Sequence, residues 1–470
     1  MVRTADRFDV VVIGGGPGGY AAALYGAAAG LSVAVVERDK VGGTCLHRGC
    51  VPAKEFLETA AVFRTVGAAK EFGVQADAPT VDFSVSQARK QKVVDQLWKG
   101  LSGLMKRRKI TVVEGTATLA PGRAVRVDTG AELVGDHVVL AAGSVPRTLP
   151  GFEVDGRLVV TSDEFLALDR LPAAAAVIGG GAIGCEFAST LADLGTEVTV
   201  LEALPSILAG CDQDVVAVVA KAFARRGIKV HTGVVVQGHA PGDAGTTVQF
   251  GDGQSVTVDQ VVVAVGRRPR SEGLLAPGTG VELDGRGYVP VDQALRTAAE
   301  GVFAVGDLIS VPGRAHPQLA HVGFAEGINV IKNILGEAYI PVDYARVPWC
   351  IYSHPEVAFA GLTEDAARDA GYDVVVSKHS FGGNARAMIV GDVTGLVKVV
   401  AERGADGRAG TILGVHLAGP WVTEQLGQGY LAVNWEATVD EVAQFIQPHP
   451  TLSETFGETV LSLTGRGLHG

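Results

Sequence analysis

The sequence predicts an α/β fold that contains two strand–helix–strand units, and three observations lead to this prediction. The chain has 470 residues, of which 47% are hydrophobic, and this length suits about three domains that each bury a core. The segment 11–37 recurs, without a gap, as the segment 176–202. Several further apolar runs end in a glycine or an acidic residue, as buried parallel strands often do.

The repeat has the pattern of a dinucleotide-binding unit. Its two copies read VVIGGGPGGYAAALYGAAAGLSVAVVE and AVIGGGAIGCEFASTLADLGTEVTVLE, and they are identical at 12 of 27 positions. In each copy an apolar run leads into Gly-x-Gly-x-x-Gly, a helical stretch and a second apolar run that ends in Glu. This order is typical of Rossmann-like domains, so the sequence predicts two such domains and two bound dinucleotides.

Each glycine of the motif has a separate role. The first permits the tight turn out of the strand, the second lets a pyrophosphate approach the backbone, and the third lets the helix pack closely on the strand. The phosphates then lie at the helix N-terminus, where free N–H groups favour anions. The six glycines are Gly14, Gly16 and Gly19 in the first copy and Gly179, Gly181 and Gly184 in the second.

The acid that ends each copy, Glu37 or Glu202, lies 18 residues after the third glycine. At that place a carboxylate can accept hydrogen bonds from the hydroxyl groups of an adenosine ribose. From Glu202 to Ala220 the chain has no Lys or Arg, so a 2′-phosphate would meet a carboxylate and no cation. The second site is therefore expected to prefer NAD(H) to NADP(H).

Further strands are predicted from shorter apolar runs. Runs that end in glycine or aspartate, as parallel strands often do, are found at 136–143, 259–266 and 301–307. Runs that suit a C-terminal sheet are found at 396–400 and 412–416. Domain boundaries are expected near 146–150, 267–270 and 342–348.

Composition excludes several classes of protein. The net charge of −11 argues against a nucleic-acid partner, because such partners are bound by clustered positive charge. A glycine cluster interrupts the uncharged stretch 10–36, so a membrane helix is not expected there. Five cysteines do not make a disulfide scaffold, and a cytoplasmic enzyme is expected. Three of the cysteines are expected to be structural: Cys185, Cys211 and Cys350.

The other two cysteines follow the first acid, in the segment GGTCLHRGCVPAK. On a regular helix Cys45 and Cys50 would lie about 140° apart, whereas a disulfide needs Cα atoms at about 4.4–6.8 Å. A bridge would therefore need a distorted turn, for which Gly49 supplies backbone freedom. A helix N-terminus, Arg48 and Lys54 could each lower a thiol pKa. Two unrelated cysteines remain an alternative, whereas a zinc site lacks a second Cys/His pair.

GGTCLHRGCVPAK resembles the active-site segment of the flavin-dependent pyridine nucleotide–disulfide oxidoreductases. The resemblance extends along the chain through GGGPGGY, AAGS, GGGAIGCE, AVGRRP, FAVGD, YSHPEVA and HPTLSE. It implies an FAD-binding domain, an NAD-binding domain, a central domain that completes the FAD site and a C-terminal α+β dimerisation domain. Their expected bounds are 1–149, 150–270, 271–345 and 346–470.

The resemblance implies a role for each residue that matches a family motif. Cys45 is implied to exchange with the substrate disulfide or dithiol, and Cys50 to be the thiolate that lies against the flavin. Lys54 and Glu186 are implied to form an ion pair near the flavin. Asp307 is implied to hydrogen bond to the ribityl chain of FAD.

A catalytic base is predicted in the C-terminal segment HPTLSE. Thiol–disulfide exchange moves a proton near neutral pH, which suits an imidazole, and a carboxylate on the far ring nitrogen fixes the tautomer. By resemblance, His449 is the base, Glu454 orients it, and the pair acts on the other subunit of a homodimer. The resemblance also suggests a cis bond between His449 and Pro450.

Matching positions imply further contacts with the two cofactors. For FAD these are Arg38, Gly43, Thr44, Ala117, Ala142, Gly143, Ser144 and Ala320. For NAD they are Ile183, Val234 and Gly266. No metal site is expected.

Within the family, the chain most resembles members that oxidise protein-bound dihydrolipoamide with NAD⁺. The NAD-type acid, the segment HPTLSE and a tail without cysteine, 463–470, favour this activity. The expected partners are a second copy of the chain and the lipoyl-bearing subunits of 2-oxo acid dehydrogenase complexes or of the glycine cleavage system. The alternatives are an NAD(P)H-dependent reductase of a small disulfide, of glutathione or mycothiol type, and a non-catalytic subunit that responds to NAD(H).

The chain departs from the family pattern near FAD and the substrate. Leu-His-Arg-Gly at 46–49 replaces Leu-Asn-Val-Gly, Ala142 replaces Thr, and Gln-Pro at 447–448 replaces His-Ala. An insertion also lies between Asp307 and Leu319. These departures leave open which disulfide is the natural substrate, but they do not affect the cysteine pair or the His–Glu pair.

Overall fold

The structure, a computed structural model, describes residues 6–243 and 245–469. Within them the helices are α1 (Pro17–Ala28), α2 (Gly43–Arg48), α3 (Cys50–Ala68), α4 (Phe83–Arg107), α5 (Ser162–Phe165), α6 (Ala182–Asp193), α7 (Gln213–Arg225), α8 (Ala320–Leu335), α9 (Glu364–Asp369), α10 (Ala385–Val390), α11 (Val422–Asn434), α12 (Val439–Val442) and α13 (Glu454–Leu463).

The strands, in chain order, are β1 (Asp6–Ile13), β2 (Val33–Glu37), β3 (Thr111–Glu114), β4 (Ala117–Ala120), β5 (Ala124–Val127), β6 (Glu132–Leu140), β7 (Ser144–Pro146), β8 (Val159–Val160), β9 (Ala174–Ile178), β10 (Glu197–Leu201), β11 (Lys229–His231), β12 (Val236–Gly242), β13 (Gly245–Phe250), β14 (Gln254–Val258), β15 (Gln260–Val263), β16 (Arg267–Pro269), β17 (Val289–Pro290), β18 (Val302–Ala304), β19 (Ile309–Ser310), β20 (Trp349–Ile351), β21 (Glu356–Gly361), β22 (Val374–Ser380), β23 (Leu396–Arg403) and β24 (Ala409–Gly419).

The chain divides into two compact units, and each unit is made of three segments. The first unit comprises Met1–Glu55, Ser84–Arg147 and Gly266–Tyr344. The second unit comprises Phe56–Phe83, Thr148–Val265 and Ala345–Gly470. The division into four domains stays a prediction.

The first unit is built on one mostly parallel sheet, in the order β3-β2-β1-β6-β5-β4, with β18 beside β6. The central strand β1 pairs in parallel with both β2 and β6. The sequence-predicted strands at 136–143 and 301–307 are observed as β6 and β18. Their apolar runs are buried, because a parallel sheet is covered on both faces.

The second unit contains a parallel sheet, an antiparallel meander and a C-terminal antiparallel sheet. The parallel sheet has the order β11-β10-β9-β15-β8, and the meander has the order β12-β13-β14. The C-terminal sheet has the order β20-β21-β24-β23-β22, and α11 and α13 contribute Val422, Leu426 and Phe456 to its apolar core. The prediction of an α/β fold with a C-terminal α+β part is confirmed.

The two copies of the sequence repeat adopt the same local structure. Helix α1 and helix α6 begin and end at positions that differ by 165 residues at both ends, which is the offset of the repeat. Strands β1 and β9 also end at equivalent residues, Ile13 and Ile178. Each copy therefore presents its glycine motif between the central strand of a parallel sheet and the start of a helix.

Candidate active site

The first glycine motif lies in the first unit, at the turn from β1 into α1. Gly14 has a φ of +104°, and a Cβ at this residue would overlap the carbonyl oxygen of Ala141. A Cβ at Gly19 would overlap the carbonyl oxygen of Gly14. At Gly16, by contrast, the nearest atom to an added Cβ is the Cα of Gly43, at 3.9 Å. The structure thus assigns a turn role to Gly14 and a packing role to Gly19, and it leaves room for a ligand at Gly16.

The carboxylate of Glu37 is held in place by the backbone around this motif. Its Oε2 accepts the N–H of Gly15 at 2.7 Å, and its Oε1 accepts the N–H of Asp39 at 3.0 Å. Each carboxylate oxygen retains a further acceptor site, so Glu37 can still receive the hydroxyl groups of a ribose. Ala117 begins β4 two residues after Gly115, whose N–H donates to the Glu37 carbonyl at 3.0 Å.

The second glycine motif, in the second unit, has nearly the same geometry. Gly179 has a φ of +104°, and Cβ atoms at Gly179 and Gly184 would overlap carbonyl oxygens of Ala264 and Gly179, respectively. A Cβ at Gly181 would meet no atom within 4 Å. The residues present therefore fit an FAD at the first motif and an NAD(H) at the second.

Glu202 repeats the arrangement of Glu37. Its Oε2 accepts the N–H of Gly180 at 2.5 Å, and its Oε1 accepts the N–H of Leu204 at 2.7 Å. Val234 is brought to the same place, because its N–H donates to the Glu202 carbonyl at 3.0 Å. Ile183 is half-buried in the first turn of α6. Gly266 has a φ of +100° and follows β15 closely in the chain.

The loops after β6 and β18 bring several predicted FAD contacts together in the first unit. The hydroxyl of Ser144 donates to Oδ2 of Asp307 at 2.5 Å. Arg267 donates to Ser144 through Nε to Oγ at 2.6 Å and through Nη2 to the carbonyl at 3.0 Å. Sequence reasoning did not assign Arg267, although the motif AVGRRP contains it. Ala142 and Gly143 precede Ser144 in the same loop.

The remaining predicted FAD contacts lie in three places. Arg38 is exposed directly after Glu37. Gly43 and Thr44 begin α2, where a Cβ on Gly43 would lie 2.6 Å from the Cα of Gly16. Ala320 begins α8. The part of each of these residues in binding stays a prediction.

The two cysteines of the predicted redox pair lie on either side of a break between helices. Helix α2 ends at Arg48, the next residue Gly49 has φ −149° and ψ −114°, and Cys50 begins α3. A Cβ at Gly49 would lie 3.0 Å from the Thr44 carbonyl oxygen and 3.4 Å from the Cα of Cys45. The predicted distorted turn is confirmed, and it places the two sulfur atoms in hydrogen-bond contact without a disulfide bond.

The expectation of a lowered thiol pKa is wrong for Cys45 in this reduced state. The hydrogen bond with Cys50, burial and the negative charge of Cys50 together raise the pKa of Cys45. The positive charge of Lys54 opposes this shift without overcoming it. Arg48 instead forms an ion pair with Asp39, at 3.0 Å. Cys45 therefore loses its proton less readily than an ordinary thiol in this state.

Other groups of the first unit lie close to the cysteine pair. Burial and the charges of Cys45 and Cys50 raise the pKa of Tyr20 to about 12, so this phenol stays neutral at physiological pH. Asp307 also acts electrostatically on Cys45. The structure therefore gathers the thiols and the Asp307 loop in one region of the first unit, as the sequence motifs predict.

The predicted His–Glu pair is present in the second unit. His449 Nδ1 lies 2.8 Å from Oε1 of Glu454, and the N–H of Thr451 donates to Oε2 at 2.7 Å. Burial opposes ionisation of Glu454, but the hydrogen bonds from Thr451 and His449 lower its pKa overall. The bond between His449 and Pro450 is cis, as the resemblance suggests.

The imidazole of His449 faces outward from its own chain. Its side chain is 71% exposed, and Nε2 has no hydrogen-bond partner among the described residues. Large apolar side chains nearby in the sequence are exposed as well, including Phe445 at 65% and Ile446 at 97%. The dyad is thus assembled within one chain but is open to a group from elsewhere.

Glu186 and the other cysteines lie in the second unit. The carboxylate of Glu186 is buried, and Oε1 accepts the N–H of Tyr352 at 2.9 Å; its predicted pairing with Lys54 stays a prediction. Burial raises the pKa of Cys185, and burial raises the pKa of Cys211 to about 12. These two thiols are core residues, as expected. Cys350 is half-buried.

The described residues hold neither a metal-binding cluster nor a helix that could cross a membrane. They contain no group of three or more His, Cys, Asp or Glu side chains placed to hold a metal ion. Over the same residues, the helices are too short or too polar to span a bilayer.

The chain matches two family descriptions. Residues 8–327 match the pyridine nucleotide-disulphide oxidoreductase family, and residues 347–460 match the pyridine nucleotide-disulphide oxidoreductase dimerisation domain. A dihydrolipoyl dehydrogenase of Bacillus subtilis is 40% identical to the chain, over 99% of this chain and 100% of the relative. A dihydrolipoyl dehydrogenase of Haloferax volcanii is 37% identical, over 99% and 98% of the two chains.

Solved structures are similar over nearly the whole chain. The crystal structure of LpdA from Mycobacterium tuberculosis has a TM-score of 0.88 and 26% identity, and the match covers 98% of this chain and 100% of that one. The HOCl-induced flavoprotein disulfide reductase RclA from Escherichia coli has a TM-score of 0.85 and 26% identity, with 96% and 99% covered.

Proposed function

Since the chain belongs to the pyridine nucleotide-disulphide oxidoreductase family, we propose that it oxidises the dihydrolipoyl group of a carrier protein at Cys45 and Cys50. It is an FAD- and NAD(H)-dependent oxidoreductase of the dihydrolipoyl dehydrogenase class, to which its full-length relatives belong. The observation that supports the site best is the thiol pair, whose sulfur atoms are held in contact by the break at Gly49.

Cys45 is the residue that exchanges with the substrate. In the oxidised enzyme, a substrate thiolate attacks the disulfide at the Cys45 sulfur, forms a mixed disulfide and releases Cys50 as a thiolate. The second substrate thiol then displaces Cys45, so the substrate leaves as a disulfide and the enzyme retains the two electrons as a dithiol. Cys45 takes up a proton in this step, in agreement with its raised pKa.

His449 moves the protons of this exchange. Its Nδ1 is hydrogen bonded to Glu454, so Nε2 is the nitrogen that accepts a proton from the substrate thiol. The dimerisation domain supports a homodimer, and the outward-facing imidazole supports a site in which His449 of the partner subunit serves Cys45. When bound, FAD and NAD⁺ supply the transfer of two electrons from the dithiol to the nicotinamide.

The carrier is expected to be a lipoyl-bearing subunit of a 2-oxo acid dehydrogenase complex or of the glycine cleavage system. The names of the relatives support the dihydrolipoyl group itself. A cytoplasmic location is part of the same proposal, because the sparse cysteines form no disulfide framework.

The activity is tested by following NADH at 340 nm with dihydrolipoamide and NAD⁺, beside NADP⁺. Rapid turnover that prefers NAD⁺ is the expected result. Cys45→Ser should abolish turnover and leave the flavin bound, because Cys45 reacts with the substrate but is not needed to fold the site. Cys350→Ser is the matched control and should keep turnover. An active Cys45→Ser enzyme would contradict the assigned role.

His449→Gln tests the base. Loss of a general base should lower turnover by about 10²–10³-fold at neutral pH. The loss should shrink as the pH rises toward about 8.5, the ordinary pKa of a thiol, because the substrate then ionises unaided. A pH–rate profile of this variant that is parallel to that of the wild type would exclude His449 as the base.

The second candidate function is reduction of a small disulfide at the expense of NAD(P)H. It is favoured by the similarity to a flavoprotein disulfide reductase and by the unusual spacer 46–49. Absence of lipoamide turnover together with NADPH-dependent reduction of glutathione or mycothiol disulfide would establish it. That result would also contradict the role of Glu202 in selecting NAD(H).

A further inference from the structure

The insertion between Asp307 and Leu319 ends at a side chain that no motif explains. We propose that this residue, Gln318, binds FAD by donating a hydrogen bond from its side-chain amide to an acceptor atom of the cofactor. The proposal concerns the FAD site and does not depend on which disulfide the enzyme uses.

The first observation is an unsatisfied donor. The Nε2 atom of Gln318 is buried and has no hydrogen-bond partner among the described residues. Buried amide groups are nearly always paired, because an unpaired donor loses its hydrogen bonds to water and gains none. The missing acceptor is therefore expected from a molecule that the chain binds.

The second observation is the position of this donor. Gln318 lies two residues before Ala320, at which α8 begins. In the first turn of that helix, a Cβ on Gly323 would lie 3.3 Å from the backbone nitrogen of Gly18 and 3.8 Å from the Cα of Gly306. The start of α8 is therefore packed against the first glycine motif and against the loop that carries Asp307.

The third observation is that the insertion holds Gln318 in one place. The backbone of Gln318 has a φ of +55°, and its N–H donates to Nδ1 of His316 at 3.1 Å. Because Nδ1 is an acceptor, the ring proton lies on Nε2, which donates to Oε1 of Glu326 at 2.9 Å. Oε2 of Glu326 accepts the N–H of Gly306 at 2.6 Å. One buried carboxylate thus connects Gln318 to the residue before Asp307.

Two further contacts fix the insertion to the end of the first unit. The hydroxyl of Tyr344 donates to Oε1 of Glu326 at 2.7 Å. Arg314 forms an ion pair with Asp343 at 3.1 Å. Donors therefore occupy both oxygens of Glu326, whose side chain is fully buried. The insertion that carries the backbone of Gln318 is thus held in place before a ligand binds, which lowers the entropy cost of binding.

The chemistry of FAD suits a neutral amide donor. The cofactor offers acceptors on the carbonyl groups and nitrogens of its ring system, on its ribityl hydroxyl groups and on its phosphates. A hydrogen bond to any of them would satisfy Gln318. Acceptors on the ring system differ in their spectroscopic signature from acceptors on the ribityl chain or the phosphates.

The test replaces Gln318 in the full-length holoenzyme. Gln318→Met keeps most of the volume and removes the donor, whereas Gln318→Glu keeps the shape and turns a donor into an acceptor. Release of FAD, followed by flavin fluorescence after dilution, should show about a 3- to 10-fold weaker complex for the Met variant, and a larger loss for the Glu variant at pH 8. Gln91→Met, at an exposed position of α4, is the matched control.

Thermal unfolding of the FAD-free chain separates binding from folding. Without FAD the donor is unpaired, so Gln318→Met should leave the melting temperature unchanged or raise it. A shifted flavin absorption band or midpoint potential, together with weaker binding, places the acceptor on the ring; weaker binding alone places it on the ribityl or phosphate part. Both Gln318 variants retaining FAD as tightly as the wild type would overturn the proposal, and lipoamide turnover by such variants would leave the proposed function intact.

Discussion

The two glycine motifs differ less in themselves than in what surrounds them. The N-cap residues Gly16 and Gly181 have φ and ψ of −74° and −174° in one motif and −73° and −174° in the other. Around the first motif, the Cα of Gly43 lies close to Gly16, whereas nothing lies within 4 Å of a Cβ added to Gly181. A shared loop thus supplies the same phosphate site twice, with Gly16 half-buried in the first copy and Gly181 exposed in the second.

The neighbouring helix α8 accounts for much of this difference. A Cβ on Gly327 of α8 would overlap the carbonyl oxygen of Gly18, so the two helices touch at their backbones. The residue that corresponds to Gly18 in the second copy is Ile183, a half-buried side chain. We infer that the covered motif retains FAD through turnover, while the open motif lets the nicotinamide cofactor exchange.

The largest effect is expected at the third glycine of each motif. Gly19→Ala should give protein without flavin and without activity, because the new Cβ meets the Gly14 carbonyl oxygen and displaces the start of α1. Gly184→Ala makes the same overlap with Gly179 but should leave FAD bound and raise KM for NAD⁺ about 10- to 100-fold, as overpacking of roughly 1–3 kcal/mol implies.

The measurements are the ratio of flavin to protein absorbance and the steady-state KM for NAD⁺. Each variant is the control for the other. Loss of FAD from Gly184→Ala would contradict this prediction, because it would show that the two motifs do not act on separate cofactors.

The second prediction concerns the covering helix. Gly327→Ala should weaken FAD binding about 10-fold or more, because the added methyl group forces α8 away from α1. KM for NAD⁺ should not change. FAD retention after gel filtration or dilution measures the effect.

Gly100→Ala in α4 is the matched control, because a Cβ there meets nothing within 4 Å and alanine favours a helix. Equal FAD retention in Gly327→Ala and Gly100→Ala would show that the glycine loop alone, and not its cover, holds the cofactor.

The smallest effect, confined to the open motif, is expected for Glu202→Gln. Hydrogen bonds to a charged acceptor contribute roughly 1.5–3 kcal/mol, so a neutral amide should raise KM for NAD⁺ by about 10-fold. Activity with NADP⁺ should increase only slightly, because no Lys or Arg lies between residues 202 and 220. Initial rates with the two cofactors give the ratio. A full reversal of preference would contradict the role assigned to the missing cation.

Local sequence was sufficient for much of this protein. The Gly-x-Gly-x-x-Gly spacing predicted both motifs, since Gly14 and Gly179 each have a φ of +104° and Cβ atoms at Gly19 and Gly184 would overlap carbonyl oxygens of their own motif. The segment HPTLSE predicted the dyad, because His449 and Glu454 are five residues apart at the start of one helix.

Other features depended on residues far apart in the chain. Arg267 meets Ser144 across 123 residues, and Glu326 meets Gly306, His316 and Tyr344 across 20, 10 and 18 residues. The raised pKa of Cys45 was not foreseen, because sequence shows which charges are near but not how deeply a thiol is buried. Sequence determined which local structures form and which chemistry they carry. The tertiary structure decided which sites are covered, because burial and long-range packing are properties of the whole fold.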